Sequence, residues 1–298
     1  MKSTVKPPLA NDFYPEGTML SEGEIGKTLE YISNRRCSHG GYCFYQLDEP
    51  NLSDTWYALG CLHTLKSVSP DPDTIAYLSQ YHDQAKGTSG LYRLWYLFWS
   101  YRYLIGEIPA ELITNLSQCP SPTLYKLGTI ESSSIFENLY NYVILCTEAQ
   151  IKKDDSYKKE VEIALYQWHH PSGGFGREKG TLIETWHAAA ICKVLGISID
   201  MNSLMAFLYS CMDPQSGFVN VSTSHPGYLE HLDAGIALAS LLNIEIPNRS
   251  LCIKYLQNCR KENGGYARSG YGGNSTLEYT WYAIRTLARL YRREREIW

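Results

Sequence analysis

Ala58, Leu62 and Leu65 follow one another in steps of four and three residues, and so do Ala188, Cys192 and Leu195. That spacing puts each trio on one face of an α-helix. The same apolar run follows a recurrent anchor: Asp54-Thr-Trp-Tyr-Ala, Glu184-Thr-Trp-His-Ala and Tyr279-Thr-Trp-Tyr-Ala. Aligned on this core, the first position of the unit falls on Asp54, Arg93, Glu137, Glu184, Glu230 and Tyr279, in steps of 39, 44, 47, 46 and 49 residues. A period near 45 residues signals stacked supersecondary units rather than unrelated domains. Gly-aromatic turns stand ahead of four anchors, at Gly40-Gly41-Tyr42, Gly173-Gly174-Phe175, Gly217-Phe218 and Gly264-Gly265-Tyr266. Between the anchor helices the pattern predicts more polar helices over 21–36, 72–81, 109–118, 155–168, 200–211 and 248–260. Ser21 and Glu24 have the spacing of a capping box, and Pro109 suits a first helical turn. No strand alternation is long enough to compete.

Six helical hairpins stack as an open solenoid or close on themselves. The anchor helices are apolar round most of their circumference, so they form the inner layer, and the polar helices form the outer one. Neither end carries a hairpin with a polar outer face, which favours closure. The expected fold is all-α, an α/α toroid (α6/α6 barrel), with residues 21–298 as one domain and residues 1–20 as an N-terminal arm.

Equal positions of equivalent repeats form rings. The third position is Trp56, Trp95, Leu139, Trp186, Leu232 and Trp281, which is packing. The fourth is Tyr57, Tyr96, Tyr140, His187, Asp233 and Tyr282, and every polar head among them needs a partner. Asp54, Arg93, Glu137, Glu184, Glu230 and Tyr279 form a charged or hydroxylated first ring at the helix N-termini, where acids also complement the helix dipole without any further role. His187 and Asp233 lie in adjacent repeats, within reach of each other at ordinary helix spacing. A paired imidazole suits a general acid or base, and Glu184, one turn earlier, can join it. The other members of both rings, with His225, are candidate substrate contacts, and His231 can face either the interior or a neighbouring helix.

Composition narrows the partners. Across 298 residues, 27 basic side chains oppose 31 acidic ones, for a net charge of −4. The only basic run (Arg289, Arg292, Arg293, Arg295) is interleaved with Glu294 and Glu296, so no nucleic-acid partner is expected. No apolar stretch reaches the roughly 18 residues of a membrane helix. Met1–Leu20 has no signal-peptide core. Nine Cys without CxxC pairs read as reduced thiols, so a cytoplasmic protein acting on a small molecule is expected. Tyr outnumbers Phe by 24 to 7, more hydroxyl-bearing aromatic than packing alone asks for.

The Gly-Gly-aromatic turns and Thr-Trp-Tyr-Ala helices, often after Gln (Gln167, Gln257), resemble the prenyltransferase and squalene-cyclase repeat. The stretch from Gly217 through His225-Pro-Gly-Tyr-Leu-Glu-His-Leu-Asp-Ala-Gly is especially similar to a protein prenyltransferase β repeat. The resemblance covers residues 21–296 and is faint in the second and third units. It implies an isoprenoid or similarly apolar substrate. Protein prenyltransferases hold a zinc through Asp-x-Cys on one inner helix and Asp-x-x-His on the next. Glu184-Thr-Trp-His187 matches the second element with Glu for Asp, but Glu137-Asn-Leu139 offers no thiolate. His187, Asp233 and Glu137 are the only set left to a zinc ion, and no metal or other cofactor is expected. Arg177, Lys179, Arg268 and His225 are comparable to the diphosphate contacts of those enzymes but out of register. The Asp-x-Asp-Asp acid of type II cyclases is missing, and Asp71-Pro-Asp73 and Asp154-Asp155 fall on outer elements. Terpene-cyclase-like or isomerase-like acid/base chemistry in a Tyr/Trp-lined cavity is the leading expectation. An α/α-toroid lyase or hydrolase acting on a polar small molecule, or a non-catalytic ligand-binding toroid, stands as the alternative.

Overall fold

The computed structural model describes residues 20–45, 47–87, 90–122 and 134–291. Apart from Leu20, the arm expected over 1–20 lies outside them, as does the basic run beyond Arg289. The helices alternate as the repeat requires. The outer set is α1 (Glu22–Ser33), α3 (Pro72–Ser79), α5 (Ala110–Ser117), α7 (Asp155–Tyr166), α9 (Met201–Ser210) and α11 (Arg249–Cys259). The inner set is α2 (Leu52–Thr64), α4 (Leu91–Ile105), α6 (Glu137–Glu148), α8 (Leu182–Leu195), α10 (Leu229–Leu242) and α12 (Leu277–Tyr291). The only strands among the described residues are β1 (Met212–Asp213) and β2 (Gly217–Phe218), an antiparallel pair around one Gly-aromatic turn.

Helix ends carry the expected caps. Ser21 and Glu24 close a capping box on α1. Asp71 and Asp154 are the N-caps of α3 and α7, so both acidic pairs work as helix starts. Pro109 sits at the N-cap of α5, one residue ahead of the first turn, and Pro72 takes the first helical position of α3. All nine Cys are buried free thiols, and burial pushes Cys37 and Cys211 up to about 11.

Two compact units arise. A middle unit takes in residues 120–252, where α8 packs between α6 and α10. A split unit combines 12–119 with 253–293, where α2 packs between α12 and α4. In the split unit the last hairpin therefore docks on the first.

One joint recurs in both units. The first Gly of each Gly-Gly-aromatic turn has φ near +88° and lies against the backbone of the next outer helix: Gly40 on Asp73, Gly173 on Ser203, Gly264 on Lys27. A Cβ at any of these glycines would come within 2.4 Å of a backbone atom. The turn's aromatic residue then buries its backbone N–H against the next inner helix, where the anchor threonine accepts it. Tyr42 N–H donates to Thr55 Oγ1 (3.0 Å), Phe175 N–H to Thr185 Oγ1 (2.9 Å) and Tyr266 N–H to Thr280 Oγ1 (3.1 Å). Each threonine hydroxyl donates in turn to the carbonyl four residues back, at 2.6–2.7 Å. Basic residues before two of the turns brace the same joint: Arg36 bonds Asp71 at 2.7 Å and Arg260 bonds Glu24 at 2.6 Å. The pair holds the Asp71 carboxyl at about 2.

Gly264→Ala places a methyl 2.3 Å from the Lys27 carbonyl oxygen at a left-handed residue, so it should cost at least about 2 kcal/mol in urea unfolding. Gly23→Ala, in an exposed stretch of α1 with open space around it, should instead stabilise by up to about 1 kcal/mol. Equal effects of the two changes would contradict this account of the joint.

Candidate functional site

The threonine bond fixes the rotation of α2, α8 and α12, and burial shows the same register on these helices and on α4. From Thr55 to Cys61 every residue of α2 is buried except Tyr57. The same holds for Leu94–Tyr101 except Tyr96, Leu182–Cys192 except His187, and Thr280–Leu290 except Tyr282. The fourth position of the anchor is thus the one partly open place within these stretches of four helices. On α6 and α10 it is closed: Tyr140 is 5% and Asp233 3% exposed.

In the middle unit, Tyr140 stacks on the imidazole of His187, with ring centres 4.6 Å apart and 21° between planes. Trp186 flanks Tyr140 at 6.3 Å. Asp233 stands at the matching level of α10, the helix packed against α8. Glu184 is buried, and both of its oxygens are engaged. Oε2 accepts from Thr181 Oγ1 (2.8 Å) and Oε1 from the Ile135 N–H (3.4 Å), which ties the start of α6 to the start of α8. Burial pushes this carboxyl above its ordinary value, against the pull of those hydrogen bonds. Glu137 and Glu230 are half-buried at their helix starts. His231 replaces the anchor threonine and accepts the Tyr228 N–H at Nδ1 (3.3 Å), so it serves a helix start rather than the interior. His225 is exposed, and its Nδ1 lies 3.1 Å from Oδ1 of the buried Asp213.

In the split unit, Tyr57, Tyr96 and Tyr282 come together. Burial, with Tyr282, Glu278 and Tyr96 close by, drives the Tyr57 phenol well above its usual range, and its hydroxyl donates to Glu278 Oε1 at 3.3 Å. Trp56 packs on Tyr57 (4.6 Å) and Tyr96 (5.4 Å). The buried Arg285 guanidinium lies 5.1 Å from the Trp281 ring centre and 5.3 Å from that of Tyr282. Asp54 accepts from the Phe44 N–H (3.0 Å) and the Asn51 amide (2.5 Å). Arg93 lies over the Tyr92 ring, and the Tyr279 N–H is capped by Thr276. Glu278 and Arg285 were not among the residues that the anchor singles out, because they lie outside it, about one turn before and one turn after its fourth residue, Tyr282.

A family model for the prenyltransferase alpha-alpha toroid domain matches residues 17–93 and 122–297. The chain belongs to that family. Its α/α-toroid class is therefore the one that the hairpin repeat predicts. No curated protein matches it.

The zinc of the protein prenyltransferases does not fit this member. Leu139, 1% exposed and apolar, stands where their thiolate would. Glu184, in place of their Asp, has both oxygens occupied and its ionised form disfavoured by burial. Among the described residues no group of three or more His, Cys, Asp or Glu has the arrangement to hold a metal ion. No helix of the described residues is long and apolar enough to cross a membrane.

Because the folded protein holds the Glu184 proton more tightly than the unfolded chain, this group's contribution falls as pH rises through its raised value. Glu184→Gln keeps an acceptor without the charge and should be neutral or stabilising at pH 7. Glu184→Ala strands the Ile135 N–H and should cost about 1–3 kcal/mol. Urea unfolding of the two variants at neutral pH checks the order, and a less stable Gln variant would refute it.

Proposed function

We propose that the chain is an enzyme handling an isoprenoid or similarly apolar substrate by acid/base-initiated cyclisation or isomerisation. The observation that carries this reading is the fourth position: Tyr57, Tyr96, His187 and Tyr282 are the partly open residues within the buried stretches Thr55–Cys61, Leu94–Tyr101, Leu182–Cys192 and Thr280–Leu290. The first-position acids favour it too, since Asp54 and Glu184 are committed to backbone N–H groups and a polar substrate would find little of their charge. That weighs against a lyase or hydrolase of polar molecules. In the middle unit His187 exchanges the proton, Asp233 on the packed neighbouring helix supports the imidazolium, and Glu184 holds the two helix starts in place. Tyr140 keeps the imidazole plane fixed by stacking. One proton given and one taken back leaves enzyme and substrate composition unchanged, which is the balance of an isomerisation or cyclisation. In the split unit the Tyr and Trp faces offer negative π-density and little nucleophilicity to an electron-deficient carbon chain.

The test is incubation of the purified chain with a panel of polyprenyl alcohols, diphosphates and polyenes, with products separated by gas chromatography and mass spectrometry. His187→Ala and Asp233→Asn should each lower turnover by roughly a hundredfold or more. Full activity of His187→Ala on a converted substrate would remove the assigned role.

A further inference from the structure

Five rings of the split unit form a closed circuit. Centre-to-centre distances run Trp56–Trp95 6.1 Å, Trp95–Trp99 5.7 Å, Trp99–Tyr103 5.9 Å, Tyr103–Trp281 6.2 Å and Trp281–Trp56 6.2 Å. Gly60 of α2 keeps the circuit close, because a Cβ there would sit 3.1 Å from the Trp281 ring. Within this circuit the indole N–H groups of Trp56, Trp99 and Trp281 are buried and have no hydrogen-bond acceptor, and neither does the Ser100 hydroxyl beside Trp99.

Buried donors are normally paired, since leaving one unmade forfeits its hydration. Three in one cluster ask what they are kept for. Indole nitrogen donates and never accepts. A water molecule placed among such groups receives the indole hydrogens but has only hydroxyl oxygens such as that of Ser100 to accept its own two, so indole donors outnumber what it can satisfy. A carbonyl, ester or ether oxygen has lone pairs and no hydrogen, and matches the cluster.

We infer that this aromatic circuit receives the oxygen-bearing end of an otherwise apolar ligand, one with a hydrogen-bond acceptor and no donor at that end. This rests on the reading that the split unit's rings bind an apolar substrate, and it narrows that substrate from a plain hydrocarbon to an oxygenated one. Trp56 and Trp281 make the first contact, because they adjoin the partly open Tyr57 and Tyr282.

Matched probes test it. Methyl laurate carries an acceptor only, dodecanol a donor and an acceptor, and dodecane neither. Binding is followed by tryptophan fluorescence, and the indole N–H marker band in ultraviolet resonance Raman spectra reports hydrogen bonding directly. The expected result is methyl laurate binding about tenfold more tightly than dodecane, with dodecanol between them. The marker band should shift from free to bonded on ester binding. Trp56→Phe and Trp281→Phe, which keep an aromatic ring but lose the donor, should erase the ester's advantage over dodecane. Equal affinity for ester and alkane overturns the inference alone, as does an advantage that survives both substitutions. So does a marker band that is already bonded in the ligand-free protein. Failure of all three probes to bind overturns the underlying functional reading as well.

Discussion

The bond between the anchor threonine and the N–H of the preceding Gly-aromatic turn is the constraint on which the repeat depends. Threonine is an indifferent helix former, and nothing about amphipathic patterning calls for one at the start of an apolar helix. Its value lies in joining two groups that burial would otherwise strand. The Oγ1 of Thr55, Thr185 and Thr280 accepts from the turn and donates within its own helix. A helix so pinned cannot rotate, and two residues later the fourth position emerges at the same point of the helix circumference each time. The positive-φ glycines make the other half of the joint, since only a residue without Cβ lets the turn lie on the backbone of the next outer helix.

The same joint explains why acids crowd the helix starts without making an acidic site. Asp54 and Glu184 sit where the dipole favours them, and there they accept N–H groups from adjoining segments. The α10 start departs from the pattern and so illustrates it. With His231 in place of threonine, the helix start is closed by the Tyr228 N–H donating to His231 Nδ1 instead, and the fourth position there is the buried Asp233.

Much of this was legible in the chain. The period, the alternation of outer and inner helices and the helix bounds to within a few residues all follow from apolar spacing and turn residues. The fourth position could be singled out because one repeat position carried Tyr, His and Asp where packing would ask for carbon. What stayed hidden were relations set by side-chain rotamers and by contacts far apart in sequence. The stack of Tyr140 on His187 joins residues 47 apart, and the Tyr57–Glu278 bond joins the first hairpin to the last. The saturation of Glu184 depends on an N–H from Ile135, a residue with no motif of its own. The bare indole donors leave no trace in a sequence, because a tryptophan reads as bulk whether or not its nitrogen finds a partner.

A division of labour follows from that geometry. At Gly40, Gly173 and Gly264 the threonine bond and the turn glycine, with the ion pairs of Arg36 and Arg260 at two of them, join neighbouring helices through groups that never reach the fourth position. The closing joint, Gly264 on Lys27, has the geometry of the interior joints. The fourth residue is then at liberty to change from Tyr to His to Asp between neighbouring hairpins while the fold stays the same. In the same way Leu139 puts carbon at its position, and the His187 imidazole is held by its stack on Tyr140. Fold and chemistry are coded at separate positions of one repeat, which is why membership of the family is plain from the chain while the family's reaction motifs are not found in it.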